Sequence, residues 1–272
     1  MASIDPMHQF LIEKVVELPS FTVGPLTFDM SITNSVLMMM VGAAVLCLIL
    51  GAASKGSLVP GRMQAVGEGF YGLIEGVLVT PIIGHNGKPY IPFIMTLFMF
   101  IFVMNFLGVI LSLGAIGGLN LTFTPTSQLA VTVGFAVLTF VSVIVIGFIK
   151  NGLGFFKLFV PPGLPLPMVF VMAPIEFISF AVRPLTLSMR LFGNIVGGHV
   201  VLYIFASFVI SLGVLGMSGG LSSLAFAGSA ASLLMVVLLS GLELLVAFLQ
   251  AFVFAALATV YLNEVVNLGH GH

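Results

Sequence analysis

Residues 168–217 and 222–262 are two apolar stretches joined through the glycine-rich GMSGGLSS. A bilayer's hydrocarbon core is about 30 Å thick and takes about 20 helical residues to cross. At 1.5 Å per residue, an unbroken helix over the shorter stretch would run roughly 60 Å. Ordinary tilts of about 20° do not absorb such an excess. Each stretch is therefore either broken into two spans or is one long helix, steeply inclined in the membrane. No charged or Pro-Gly turn marks a break near the middle of 222–262. The expectation is an antiparallel hairpin of two long, inclined helices.

Composition agrees with an all-α polytopic membrane protein. Of 272 residues, 60% are hydrophobic and 6% are charged, whereas soluble domains carry roughly 25% charged residues. A net charge of −1 argues against a nucleic-acid partner. The single cysteine, Cys47, lies in the apolar run MMMVGAAVLCLILGAA and reads as helix filler. The N-terminus has acids and no apolar core, unlike a secretory signal peptide.

Residues 1–31 form an N-terminal segment expected outside the membrane. Within it, Phe10, Leu11 and Val15 stand at helical spacing before Pro19, and 20–30 alternate weakly around Gly24–Pro25, as a small hairpin would. Spans are expected at about 32–53, 92–114 and 127–149. Residues 59–84 carry Arg62, Glu68 and Glu75 on an apolar background, the pattern of an amphipathic helix lying at the interface with the two acids on its wet face. Residues 150–167 form a loop ending in prolines that stop a helix. With the hairpin this makes five membrane-embedded helices plus the interfacial one, in a single membrane domain. Lys55, Arg62, Lys88, Lys150 and Lys157 fall in segments 54–91 and 150–167, while loops 115–126 and 217–223 carry no charge. The positive-inside rule places the basic segments in the cytoplasm, the N-terminus outside and the C-terminus inside.

Within the hairpin the charged residues are Glu176, Arg183, Arg190 and Glu243, with Glu264 just beyond it; His199 is titratable. Steps of seven link Glu176, Arg183 and Arg190, and likewise Glu243, Gln250, Leu257 and Glu264, giving two helical stripes that drift ~20° per step. Folding back about Gly219–Gly220 sorts them by depth. Glu176 and Glu264 share a midpoint at 220, as do Arg190 and Gln250; His199 and Glu243 share one at 221. Arg190 and His199 are expected on opposite sides of their helix, being nine residues apart. A guanidinium is not deprotonated in proteins, so Arg190 cannot relay protons, but Glu176, His199 and Glu243 can. A fixed cation between titratable clusters at two depths suits a barrier between two proton half-paths.

Other polar residues have plainer expectations. Arg183 is read as snorkelling toward the inner interface, Gly193 and Gly197 as a small-xxx-small packing pair, and Asn105 as a bond to a neighbouring helix with no transport role. There is no phosphate-binding glycine loop, metal-spaced cluster or nucleophile triad, so no cofactor, metal or bond-making catalysis is expected.

RPLTLSMRLFGNIVGGH (183–199) followed by ELLVAFLQAFVFAALATVYL (243–262), with DPMHQF near the N-terminus and MNFLG at 104–108, resembles the subunit-a family of rotary ATP synthases over nearly the whole chain. The resemblance implies that Arg190 is a stator arginine facing the carboxylates of a rotating c-subunit ring, with Asn194 and Gln250 as its polar neighbours. It implies an outer half-channel at His199 and Glu243, two types exchanged in position in some bacterial members, and an inner one at Glu176, which Glu264 accompanies in depth. Implied partners are the c-ring, the peripheral-stalk subunit b, other ATP synthase subunits and lipid. The implied setting is a bacterial inner membrane, or secondarily the mitochondrial one, with ATP made by partner subunits. The rival from another class is a stand-alone transporter or channel using Arg190 as counter-ion, although the repeats and broken spans frequent in transporters are not evident.

Overall fold

α1 (Asn34–Ala53) starts where Thr33 Oγ1 accepts a hydrogen bond from Val36 N at 3.5 Å, the arrangement of an N-cap. The computed structural model describes residues 14–17, 21–23, 26–28, 31–54, 61–115, 125–160, 166–217 and 224–268. After α1 come α2 (Arg62–Leu73), a π-helical turn at Ile74–Val79 and the short α3 (Thr80–Ile82). A 3-10 segment, Gly84–Tyr90, leads into α4 (Ile91–Ala115); then follow α5 (Leu129–Asn151), α6 (Leu166–Gly216) and α7 (Leu224–Val266). Six helical stretches among the described residues are long and apolar enough to cross a membrane. The all-α, polytopic expectation holds, and the last two helices are long and unbroken.

Four short strands precede α1. β2 (Phe21–Val23) and β3 (Leu26–Phe28) pair antiparallel, forming the small hairpin expected around Gly24–Pro25. β1 (Lys14–Val16) pairs with β4 (Ile32–Thr33), so the helical spacing read through Val15 fails there. Adjacent Val15 and Val16 are β-branched and suit a strand that has a partner. Residues 5–13 of that stretch lie outside the described residues.

Two boundaries also differ from expectation. Residues 152–159 of the anticipated 150–167 loop form a 3-10 helix that buries Phe155 and Phe159. α7 runs past residue 262, with Asn267 N bonding Asn263 O at 3.0 Å, which puts Glu264 within the helix. A polar Asn-Glu pair looks like a helix end in sequence, but its side chains find partners here.

The chain divides into two units, each with part of α4, α6 and α7. The first comprises Met1–Ala44, Phe102–Gln128 and Phe192–Leu249; the second comprises Val45–Ile101, Leu129–Leu191 and Gln250–His272. In the first, Ser229 Oγ donates to Val209 O at 2.8 Å, and Gly216 lies against the Phe226 ring. These pairs have midpoints at 219 and 221, so α6 and α7 fold back there in the expected register. In the second, Phe140, Phe155 and Phe159 all approach Phe180, at 4.8, 6.4 and 5.6 Å between centroids. Hydroxyls in apolar helices bond within their own helix: Thr139 Oγ1 donates to Phe135 O at 2.8 Å and Ser142 Oγ to Leu138 O at 2.8 Å. Such bonds satisfy groups that lipid cannot.

Candidate functional site

α6 and α7 each supply one member of a buried pair in the first unit. His199 on α6 is 3% exposed and Glu243 on α7 is 7% exposed, with His199 Nδ1 3.8 Å from Glu243 Oε1. That is ion-pair range, beyond hydrogen-bond length. The approach depends on Gly198: a Cβ there would lie 2.8 Å from Glu243 Oε1. Among the described residues, neither carboxylate oxygen of Glu243 has a hydrogen-bond partner. Asn105 on α4, fully buried, directs Nδ2 toward Ala247 O at 3.5 Å, while its Oδ1 has no partner among the described residues. Ala247 is one helical turn from Glu243 on α7, so Asn105 borders the same polar interior. Buried polar atoms are ordinarily paired, and these orphans mark a place suited to water.

The second unit has a different cluster. Arg183 Nη1 hydrogen-bonds Glu264 Oε2, and its Nη2 lies 3.9 Å from Glu176 Oε1. The guanidinium carbon sits 5.3 Å from the Phe180 ring centre and 4.9 Å from that of Tyr261, a cation–π contact on each. The Arg183 side chain is 18% exposed. Two carboxylates and two rings surround it, and Glu176 and Glu264, expected at one depth, both approach the same guanidinium.

Arg190 is exposed on α6, and Gln250 is buried on α7. Asn194 is exposed on α6, as are Gly193 and Gly197, whose Cβ positions meet nothing within 4 Å. Among the described residues no helix packs on either glycine, so any close approach there involves something else. Steps of three and four put Arg190, Gly193 and Gly197 on one side of α6. A helical face carrying a cation beside two open glycines can receive another helix closely. His199 is buried where Arg190 is exposed, in keeping with their opposite placement.

Asn105 bonds a neighbouring helix, as expected, while sequence reasoning missed two features: the partners gathered around Arg183, and Gly198. A signal existed for both: the paired glycines Gly197–Gly198 directly before His199, and the aromatics Phe180 and Tyr261 at matching ends of the fold-back.

Comparison with known proteins now bears on this arrangement. The family described as ATP synthase A chain matches residues 35–263. The chain is 45% identical to the ATP synthase subunit a of Mesorhizobium japonicum over 98% of both chains. It is 42% identical to that of Rhodopseudomonas palustris strain BisB18, covering 98% of this chain and 100% of the relative. For Chelativorans sp. strain BNC1 the identity is 45%, with 98% and 99% covered. A family match over residues 35–263, with relatives this similar over nearly their whole length, places the chain in the ATP synthase A chain family.

Proposed function

We propose that the chain is the non-catalytic, proton-translocating stator subunit of a rotary ATP synthase, and that it couples proton flow to rotation of a c-subunit ring. The carrying observation is exposed Arg190. An arginine at mid-bilayer costs between ~3 and ~10 kcal/mol or more, so an outward-facing one in an apolar run calls for a partner with a complementary charge. The open glycines beside it suit a close helical neighbour, and the relatives are named as ATP synthase subunits.

In this mechanism a proton enters from outside through water around His199, Glu243 and Asn105 and protonates a ring carboxylate. The neutralised carboxylate turns into lipid, and after nearly a full rotation it loses its proton to an inner path at Glu176. Arg190, permanently charged, bars direct crossing and stabilises the ionised carboxylate beside it. Asn194 and Gln250 are its polar neighbours. Glu264 flanks the inner path, and other synthase subunits, including peripheral-stalk subunit b, complete the stator.

We further infer that Arg62–Ile82 lies at the interface. Its hydropathy of 1.2 is well below the 2.1–2.7 of the other five candidates, and Arg62 and Glu68 are exposed along it. Five crossings then put the N-terminus outside and the C-terminus in the cytoplasm of a bacterium.

The test is Arg190→Ala in purified synthase reconstituted into vesicles. Proton-driven ATP synthesis is expected to vanish while ATP hydrolysis by the catalytic sector survives. Wild-type synthesis would refute the role. Failure of the chain to co-purify with a ring of small hairpin proteins would favour the transporter alternative.

A further inference from the structure

We propose that Arg183 is a positioning residue of the inner proton path: it binds Glu264 as a permanently charged, proton-free counter-ion and leaves Glu176 as the acid that exchanges protons. The proposal rests on the translocation reading above but concerns a different arginine, and it divides the roles of two acids at similar depth.

The two acids stand differently toward the guanidinium. Glu264 is in direct hydrogen-bond contact with Nη1, whereas Glu176 lies 3.9 Å from Nη2, outside hydrogen-bond range. Protonating Glu264 would exchange a charge-assisted bond for a neutral one, beside a group that cannot release its own charge. The guanidinium carbon lies over the Phe180 and Tyr261 rings. Lysine has no planar fork to occupy that slot.

The backbone around each acid makes the same distinction. Glu264 sits on a pinned segment: Asn151 Nδ2 donates to Val265 O at 2.7 Å, and Asn267 Nδ2 donates to Asn263 Oδ1 at 2.6 Å and to Ile83 O at 3.1 Å. Gly147 brings α5 so close that a Cβ there would lie 2.4 Å from Val265 Cγ1. A carboxylate on such a segment has little freedom to pick up and deliver a proton. Glu176, its side chain 36% exposed against 32% for Glu264, lies beside the exposed Ile175, Phe177 and Ile178, with no such backbone ties among the described residues. The 3.9 Å gap to Arg183 lets the arginine orient it without capturing it.

Removing Glu264 therefore frees Arg183 to capture Glu176, and removing Arg183 frees Glu264 to compete for the proton. Removing both leaves Glu176 unencumbered. The experiment measures ATP-driven proton pumping in vesicles containing purified synthase with R183Q, E264Q, R183Q/E264Q, R183K or E176Q, normalised to assembled complex. We expect each of R183Q and E264Q to lose about fivefold in flux, and the double to recover most of it, a non-additivity typical of contacting residues. R183K should be intermediate and E176Q should lose most flux. A merely structural pair is also rescued by deleting both members, so the pH profile of pumping is recorded as well. R183Q and E264Q should shift it and the double should restore it, whereas a structural loss, which overturns the proposal, lowers flux equally at every pH. If R183Q does not assemble, E264Q against the double still decides. E264Q at wild-type flux, a double no better than the worse single, or E176Q at wild-type flux overturns the proposal. R190A is run alongside: wild-type flux there defeats the translocation reading itself, whereas loss there with no recovery in the double defeats only the role of Arg183.

Discussion

The two polar clusters of this protein use nearly the same residue types to opposite ends. Around His199 and Glu243 the carboxylate is buried, 3.8 Å from His199, and among the described residues neither of its oxygens has a hydrogen-bond partner. Around Arg183 the carboxylates are about one-third exposed and one is directly bonded to a guanidinium that lies over an aromatic ring. Burial alone would predict the reverse, since deep charges usually demand the fuller pairing. Under the proposed function, the first cluster exchanges protons as a whole, whereas in the second Arg183 fixes Glu264 and leaves Glu176, 3.9 Å away, to exchange them.

Breaking the first cluster should have the severest outcome. Changing His199→Glu or Glu243→His alone leaves two acids or two imidazoles together, and each variant is expected to lose at least about tenfold in proton pumping. The double exchange restores one of each and should regain part of the flux. A double that pumps no better than the worse single would separate the two residues and redraw the outer path.

Gly198→Ala sharpens the comparison without altering any ionisable group. Its methyl would meet Glu243 Oε1 at 2.8 Å, so the carboxylate must shift from His199. Flux should fall by about fivefold with the complex still assembled, the scale of coupling between contacting groups. Wild-type pumping would show that the 3.8 Å geometry is not required.

Asn105→Leu fills the polar interior beside Ala247 with an apolar side chain. A smaller fall, about threefold, is expected in pumping if Asn105 Oδ1 helps hold water near Glu243. Unchanged pumping would return Asn105 to a packing role.

In the second unit, Gly147→Ala should act on stability, costing about 1–3 kcal/mol by overpacking against Val265 and Phe155. Thermal inactivation of the purified complex would report it. A variant as heat-resistant as wild type would show that α5 can yield there.

Much of this contrast was legible in the sequence, for a definite reason. An uninterrupted apolar run leaves a chain few options, so the long helices and the membrane class followed from residues 168–262 alone. Depth along a hairpin is also simple arithmetic, which is why the proximity of His199 to Glu243 could be anticipated. Rotation about a helix axis and the fine offset between two helices are not so readable. Arg183 meets Glu264 with a midpoint beyond 223, half a turn or more out of step with the other pairs, its long side chain reaching past the Phe180 and Tyr261 rings. The strand at Lys14–Val16 was hidden for a similar reason: three residues carry no periodicity, and its partner lies at Ile32–Thr33.

α6 is unbroken from Leu166 to Gly216 despite Pro174 and Pro184, and that continuity bears on how the gene can vary. One residue inserted between Arg190 and His199 would rotate everything beyond it by about 100°. His199 would leave Glu243, and Gly198 would no longer clear the carboxylate. Length changes in homologues should therefore be absent from this interval and collect at the turn between Met217 and Leu224, where an added residue alters no helical phase between Arg183 and His199. Substitution can be tolerated inside such a helix; insertion and deletion cannot.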